Sequence, residues 1–74
     1  MREWDRLQSA IENAQRLHLP VSLSLVEWLS IISDFRGSCA YCCVYSFSAI
    51  EMVHPLLGLT PENVVPICRS CKAH

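Results

Sequence analysis

No stripe of lysine and arginine runs through this chain. Six basic residues (Arg2, Arg6, Arg16, Arg36, Arg69, Lys72) face seven acidic ones, for a net charge of −1, and the electrostatic footprint that nucleic-acid binding demands is missing. Long hydrophobic runs are absent too. The most apolar segment is broken by Ser24, Glu27, Ser30, Ser33 and Asp34, and nothing approaches the roughly 20 consecutive apolar residues of a membrane span. The N-terminal stretch MREWDRLQSAIENAQ carries charges throughout and lacks the apolar core of a signal peptide. The expected setting is therefore the reducing cytoplasm, with no membrane association. There are no internal repeats, no low-complexity stretches and no linker, so residues 1–74 form one domain, with a helical part over 2–36 and a second module over 37–74.

What the chain does have is cysteine in a pattern. Cys39 and Cys42 form one Cys-x-x-Cys pair and Cys68 and Cys71 another, with twenty-five residues between them. Two such knuckles facing each other complete a closed shell of four thiolates, the arrangement of a structural zinc site rather than an open catalytic one. A disulfide framework would need an oxidising compartment, and a redox dithiol would need a thioredoxin-like strand and helix around one pair. The sequence favours zinc over both. A staple is also needed: a single core in so short a chain supplies only about 3–5 kcal/mol, whereas structural zinc binding is worth on the order of 10–16 kcal/mol. Cys43, next to a ligand, reads as a spare small apolar residue.

The flanking segments have helical periodicity. Trp4, Leu7, Ile11, Ala14 and Leu17 recur every three or four residues, which predicts an amphipathic helix over 2–18 ended by Pro20, with His18 near its C-terminus. Ser24 and Glu27 fit a capping box. Leu25, Trp28, Leu29, Ile32 and Phe35 then mark a second helix over 24–36, with Gly37 at the left-handed closing position. Trp28 and Ile31 read as core. Val44–Val53, rich in β-branched and aromatic residues, predicts a short hairpin. With 51% hydrophobic and 18% charged residues, some apolar side chains are expected in an interface.

The stretches SLVEWLSIISDFRGSCAYCC, AIEMVHPL and TPENVVPICRSCK, in that order over about residues 22–72, resemble the zinc-knuckle subgroup of HNH endonucleases found in phage and mobile elements. The resemblance implies a small α+β, zinc-stabilised domain: two N-terminal helices, then a ββα-metal (HNH-like) finger whose last helix is cut short, because the sequence runs only three residues past Cys71. In that family a hairpin His deprotonates water, the Asp beside it and a residue after the last cysteine hold a divalent metal, and a loop Asn fixes the backbone that orients the His.

Only part of that set is present. Aligned on Pro55, Glu51 takes the metal-ligand position and Met52 the place of the catalytic His, and a thioether cannot act as general base. Aligned on His54, the base is kept, but Val53 stands where the carboxylate belongs. Both registers put Lys72, a cation, at the second metal ligand, and the first is preferred because it keeps the proline and the apolar neighbours in place. The paired glycines frequent in the family's loop are missing, while Asn63 matches. His54 and Asn63 are the catalytic candidates if the site is active. His74 is a remote candidate for pairing with Glu51.

The function expected on this basis is a non-catalytic, HNH-like zinc protein that binds another protein, of the kind phage use to inhibit host defence (anti-CRISPR or anti-restriction factors), acting in the host cytoplasm. The alternatives are a metal-dependent HNH nicking endonuclease, a non-cleaving nucleic-acid-binding relic, and a homodimer that uses up the apolar surplus.

Overall fold

In the computed structural model, which describes residues 3–72, three helices and a two-stranded antiparallel sheet form a small α+β domain. In chain order they are α1 (Glu3–Arg16), α2 (Leu25–Asp34), β1 (Ala49–Met52), β2 (Val64–Ile67) and α3 (Arg69–Lys72). No helix among these residues is long and apolar enough to cross a membrane.

Helix α1 buries Leu7 and Ala14, but Trp4 and Leu17 at the ends of its stripe are exposed. It also stops before Pro20. His18 adopts the left-handed conformation (φ 60°), its N–H reaches the Gln15 carbonyl, and the Leu19 N–H reaches the Ala14 carbonyl at 2.9 Å. These two bonds are a Schellman closure, which satisfies the last carbonyls before the proline can matter. Helix α2 begins as its sequence predicts: Ser24 accepts the Glu27 N–H, and Glu27 accepts the Ser24 N–H in return. Its end is one residue off the expectation. Arg36 (φ 55°), not Gly37, takes the first left-handed position, with Arg36 N–H on Ser33 and Gly37 N–H on Ile32.

The predicted hairpin over Val44–Val53 does not form. Only its second half becomes a strand, β1, and its partner is the distant β2, with Ala49 opposite Ile67 and Met52 opposite Val64. No glycine or Asn-Gly turn lies between Val44 and Val53 to fold that segment on itself. The segment before β1 is instead drawn into the first cysteine turn, where the Cys39 N–H donates to the Tyr45 carbonyl at 2.9 Å.

The main core joins Leu7 and Ala14 of α1, Trp28 of α2, Leu23 and Leu59 of the connections, and Val64 of β2. Trp28 is fully buried, and Ile31 packs against this core from its margin. The Trp28 indole N–H donates to Glu3 at 2.9 Å, Glu3 pairs with Arg6 at 2.6 Å, Arg6 lies over the Phe47 ring, and Phe47 meets Trp28 edge to face. That closed ring ties α1, α2 and the approach to β1 together without leaving the buried indole N–H unpaired. A second, smaller core holds Cys39, Ile67 and Cys68.

Candidate metal centre

The first cysteine turn is pinned to the sheet. Ala40 donates its N–H to the Pro66 carbonyl at 2.9 Å, which places Cys39 and Cys42 against the end of β2. Cys68 follows that strand directly, and Cys71 lies one turn on in α3, whose Lys72 N–H bonds the Cys68 carbonyl. The β-ladder thus brings together two turns that lie far apart in sequence.

The four sulfurs of Cys39, Cys42, Cys68 and Cys71 all lie within 4.8 Å of one another, and those of Cys42 and Cys68 are 3.7 Å apart. A tetrahedral ion with metal–sulfur bonds of about 2.3 Å sets sulfurs about 3.8 Å apart, so the cluster has the dimensions to coordinate one metal ion. All five cysteines are free thiols. Cys39 and Cys68 are buried and Cys42 and Cys71 half-buried, which encloses the centre. The Tyr41 N–H points at the Cys39 sulfur at 3.4 Å, the kind of backbone donor that steadies a thiolate.

The electrostatics of the four thiols are uneven. Burial pushes the Cys39 thiol up, but backbone hydrogen bonds from Cys42, Cys68 and Tyr41 outweigh it and hold the group at about 6. Backbone hydrogen bonds from Tyr45 and Val44 lower Cys42 as well. The neighbouring Cys68 sulfur, and then burial, push Cys71 up to about 12. The proton that Cys71 shares with Cys68 is thereby held in place, and a bound cation would favour its release. Cys43 stands outside the cluster. It is exposed, left-handed at φ 58°, with its sulfur 4.0 Å from the Ala40 carbonyl.

The other candidates divide into two groups. A cavity of about 500 Å³ lies between α1 and β1, and Glu51, Met52 and Lys72 line it with Pro55, Leu59 and the α1 residues Arg6, Ser9, Ala10 and Asn13. His54 is not in that lining. It sits past the end of β1, exposed, with its Nδ1 accepting the Leu56 N–H at 3.4 Å. Asn63 is buried and acts on the backbone: its Oδ1 accepts the His54 N–H at 2.8 Å, and its Nδ2 donates to the His54 and Gly58 carbonyls at 2.9 and 2.7 Å. His18 serves the α1 terminus. His74 and its proposed pairing with Glu51 lie outside the described residues.

The α1 wall of the cavity was not anticipated, although its signal was present. Arg6, Ser9, Ala10 and Asn13 stand at the i, i+3, i+4, i+7 spacing of one helix face. Comparison of the chain with protein-family models, curated proteins and solved structures gives no match, so the functional reading rests on this geometry and on the sequence motifs.

Proposed function

We propose that this chain is a zinc-knuckle scaffold of the HNH-like ββα-metal type that has exchanged cleavage for protein binding. Zinc is the metal assigned to the four cysteines, because an enclosed set of four soft sulfurs in tetrahedral spacing suits a redox-inert ion of that geometry. The order β1, loop, β2, short helix, with one cysteine pair before the sheet and the other at the start of α3, is consistent with the finger the resemblance implies.

The lining of the α1–β1 cavity carries the proposal. Where the aligned motif calls for an imidazole base and a second metal ligand, the cavity offers Met52 and Lys72. A thioether takes up no proton at neutral pH, and an ammonium repels the cation that would have to sit beside Glu51. His54, the remaining imidazole near the sheet, is turned to solvent outside that cavity. Tyr41, Val44 and Tyr45 in the first knuckle and Val53, Leu56 and Leu57 in the following loop are all exposed, and such apolar and aromatic side chains suit a protein interface.

The test is a nicking assay. Zinc-loaded protein incubated with supercoiled plasmid and magnesium, manganese or nickel is expected to leave the plasmid intact. Nicking that disappears in His54→Ala would replace the proposal with a metal-dependent endonuclease. The partner class expected from the sequence, a component of a host defence complex, is tested by pull-down with the zinc-loaded chain. Light scattering after size exclusion separates this from a homodimer.

A further inference from the structure

The four cysteines of the cluster are not held alike. Cys39 and Cys42 belong to a turn fixed by its own backbone and by β2. The Cys39 N–H donates to the Tyr45 carbonyl at 2.9 Å, the Ala40 N–H to the Pro66 carbonyl at 2.9 Å and the Cys43 N–H to the Cys39 carbonyl at 3.1 Å, while the Tyr41 N–H points at the Cys39 sulfur at 3.4 Å. Cys68 follows β2 directly and is buried in the second core with Cys39 and Ile67.

Cys71 has no such frame. It sits in α3, a single turn of four residues with none buried, where Arg69, Ser70 and Lys72 are exposed. So short a helix does not hold itself together. The Lys72 N–H bonds the Cys68 carbonyl, and among the described residues no hydrogen bond or ion pair joins Arg69–Lys72 to an element outside that turn. What attaches α3 to the fold is the Cys71 side chain, packed against the second core at the sulfur cluster.

Exposure points the same way. Cys39 and Cys68 are buried, whereas Cys42 and Cys71 are half-buried, so solvent meets the sulfurs on the Cys42 and Cys71 side. Moving Cys42 outward breaks the bonds of its turn. Moving Cys71 outward gives up only the one bond within α3, and local opening follows the route that sacrifices least.

We propose that Cys71 is the exchangeable ligand of the metal centre, and that the position it leaves takes a small exogenous thiol. The proposal rests on the four-cysteine zinc assignment above and adds which ligand opens and to what. Cys39, Cys42 and Cys68 remain as a three-sulfur set with one open position, the arrangement in which zinc accepts an outside ligand. A thiol matches the soft donor it replaces. One metal–sulfur bond forms as another breaks, the proton of the incoming thiol ends on the Cys71 sulfur, and no oxidation state changes. Lys72, next in the chain, lines the α1–β1 cavity, so release of Cys71 also takes that ammonium off the cavity wall. Two adjacent residues thereby couple the metal centre to the cavity.

The test has two arms, both on the full chain carrying Cys43→Ser, which removes the exposed thiol outside the cluster. In the first, zinc-loaded protein is treated with limiting N-ethylmaleimide and followed by native mass spectrometry and peptide mapping. Cys71 should be modified about tenfold or more faster than Cys42, whose turn has further backbone hydrogen bonds to break before it opens. The singly modified chain should keep one zinc, with amide shifts confined to residues 69–72 and the adjoining cavity wall at Glu51 and Met52. In the second arm, cobalt(II) replaces zinc in Cys71→Ala. Added 2-mercaptoethanol should restore the visible absorption of four-sulfur cobalt, and should not do so in Cys42→Ala. Modification of Cys42 first, loss of zinc with the first adduct, a Cys71→Ala spectrum unmoved by the thiol, or equal rescue of Cys42→Ala would overturn the proposal while leaving the four-cysteine centre in place. An untreated chain that takes up no metal would overturn both.

Discussion

The Asn63 carboxamide holds both polar groups of the His54 peptide, accepting its N–H at 2.8 Å and donating to its C=O at 2.9 Å. One side chain thereby fixes the turn that leaves β1, and its second N–H, on the Gly58 carbonyl at 2.7 Å, fixes the far side of the same loop. In the nuclease family that the motifs resemble, the loop asparagine positions the backbone of the catalytic histidine. Here the fixed residue carries an exposed imidazole, and what the clamp preserves is the shape of the loop and the register of the sheet.

Replacing Asn63 by alanine strands three backbone groups around a buried position. Each orphaned group costs about 1–3 kcal/mol, less where water can enter, so Asn63→Ala is expected to destabilise the domain by about 3 kcal/mol in denaturant titration. Asn63→Asp keeps the acceptor for the His54 N–H but loses both donors, and should also be destabilised. His54→Ala retains the peptide that Asn63 binds and should change stability by less than about 0.5 kcal/mol.

Three residues occupy left-handed backbone positions without being glycine: His18 (φ 60°), Arg36 (φ 55°) and Cys43 (φ 58°). The conformation costs an L-residue about 1–2 kcal/mol, partly offset by the greater freedom glycine has when unfolded. His18→Gly and Cys43→Gly should each raise stability by about 0.5–1 kcal/mol, a melting-temperature gain of about 2–8 °C for a domain of this size. Cys43→Gly should also leave metal content unchanged, since this sulfur lies outside the cluster. Lost metal in that variant would count against the four-cysteine assignment.

Metal loading should depend on pH with a definite sign. Thiolates are the binding form, so protons compete with the ion and affinity falls as pH falls. Cys71, held up to about 12, keeps its proton across the neutral range and must release it on binding. Cys39, held at about 6, is already ionised at pH 7.5 and takes up a proton only as pH drops through that value. The slope of log affinity against pH should therefore steepen below about pH 6, as measured by competition with a chromophoric chelator. A slope that stays flat from pH 8 to 5 would contradict the thiolate site.

Much of this architecture could be read in the residues, and the failures share a cause. The capping box at Ser24 and Glu27 and the pairing of two Cys-x-x-Cys turns depend on short, local spacing, and both appear in the structure. The partner of β1 depends on contacts made across the chain. Val44–Val53 has strand-like composition throughout, but Ala40 binding the Pro66 carbonyl and Cys39 binding the Tyr45 carbonyl commit its first half to the first cysteine turn. Helix ends were misplaced where His18 and Arg36 took conformations usually left to glycine or asparagine. The cleft beside β1 was missed because its two walls, α1 and β1, meet only in three dimensions.

The most direct test of the account is X-ray absorption at the zinc edge, combined with metal counting by native mass spectrometry, on protein purified under reducing conditions. The expected result is one zinc per chain with four sulfur neighbours at about 2.3 Å, lost together with the folded signal in Cys39→Ser or Cys68→Ser. A metal-free folded chain, or a zinc shell containing nitrogen or water in place of any of the four sulfurs, would contradict it.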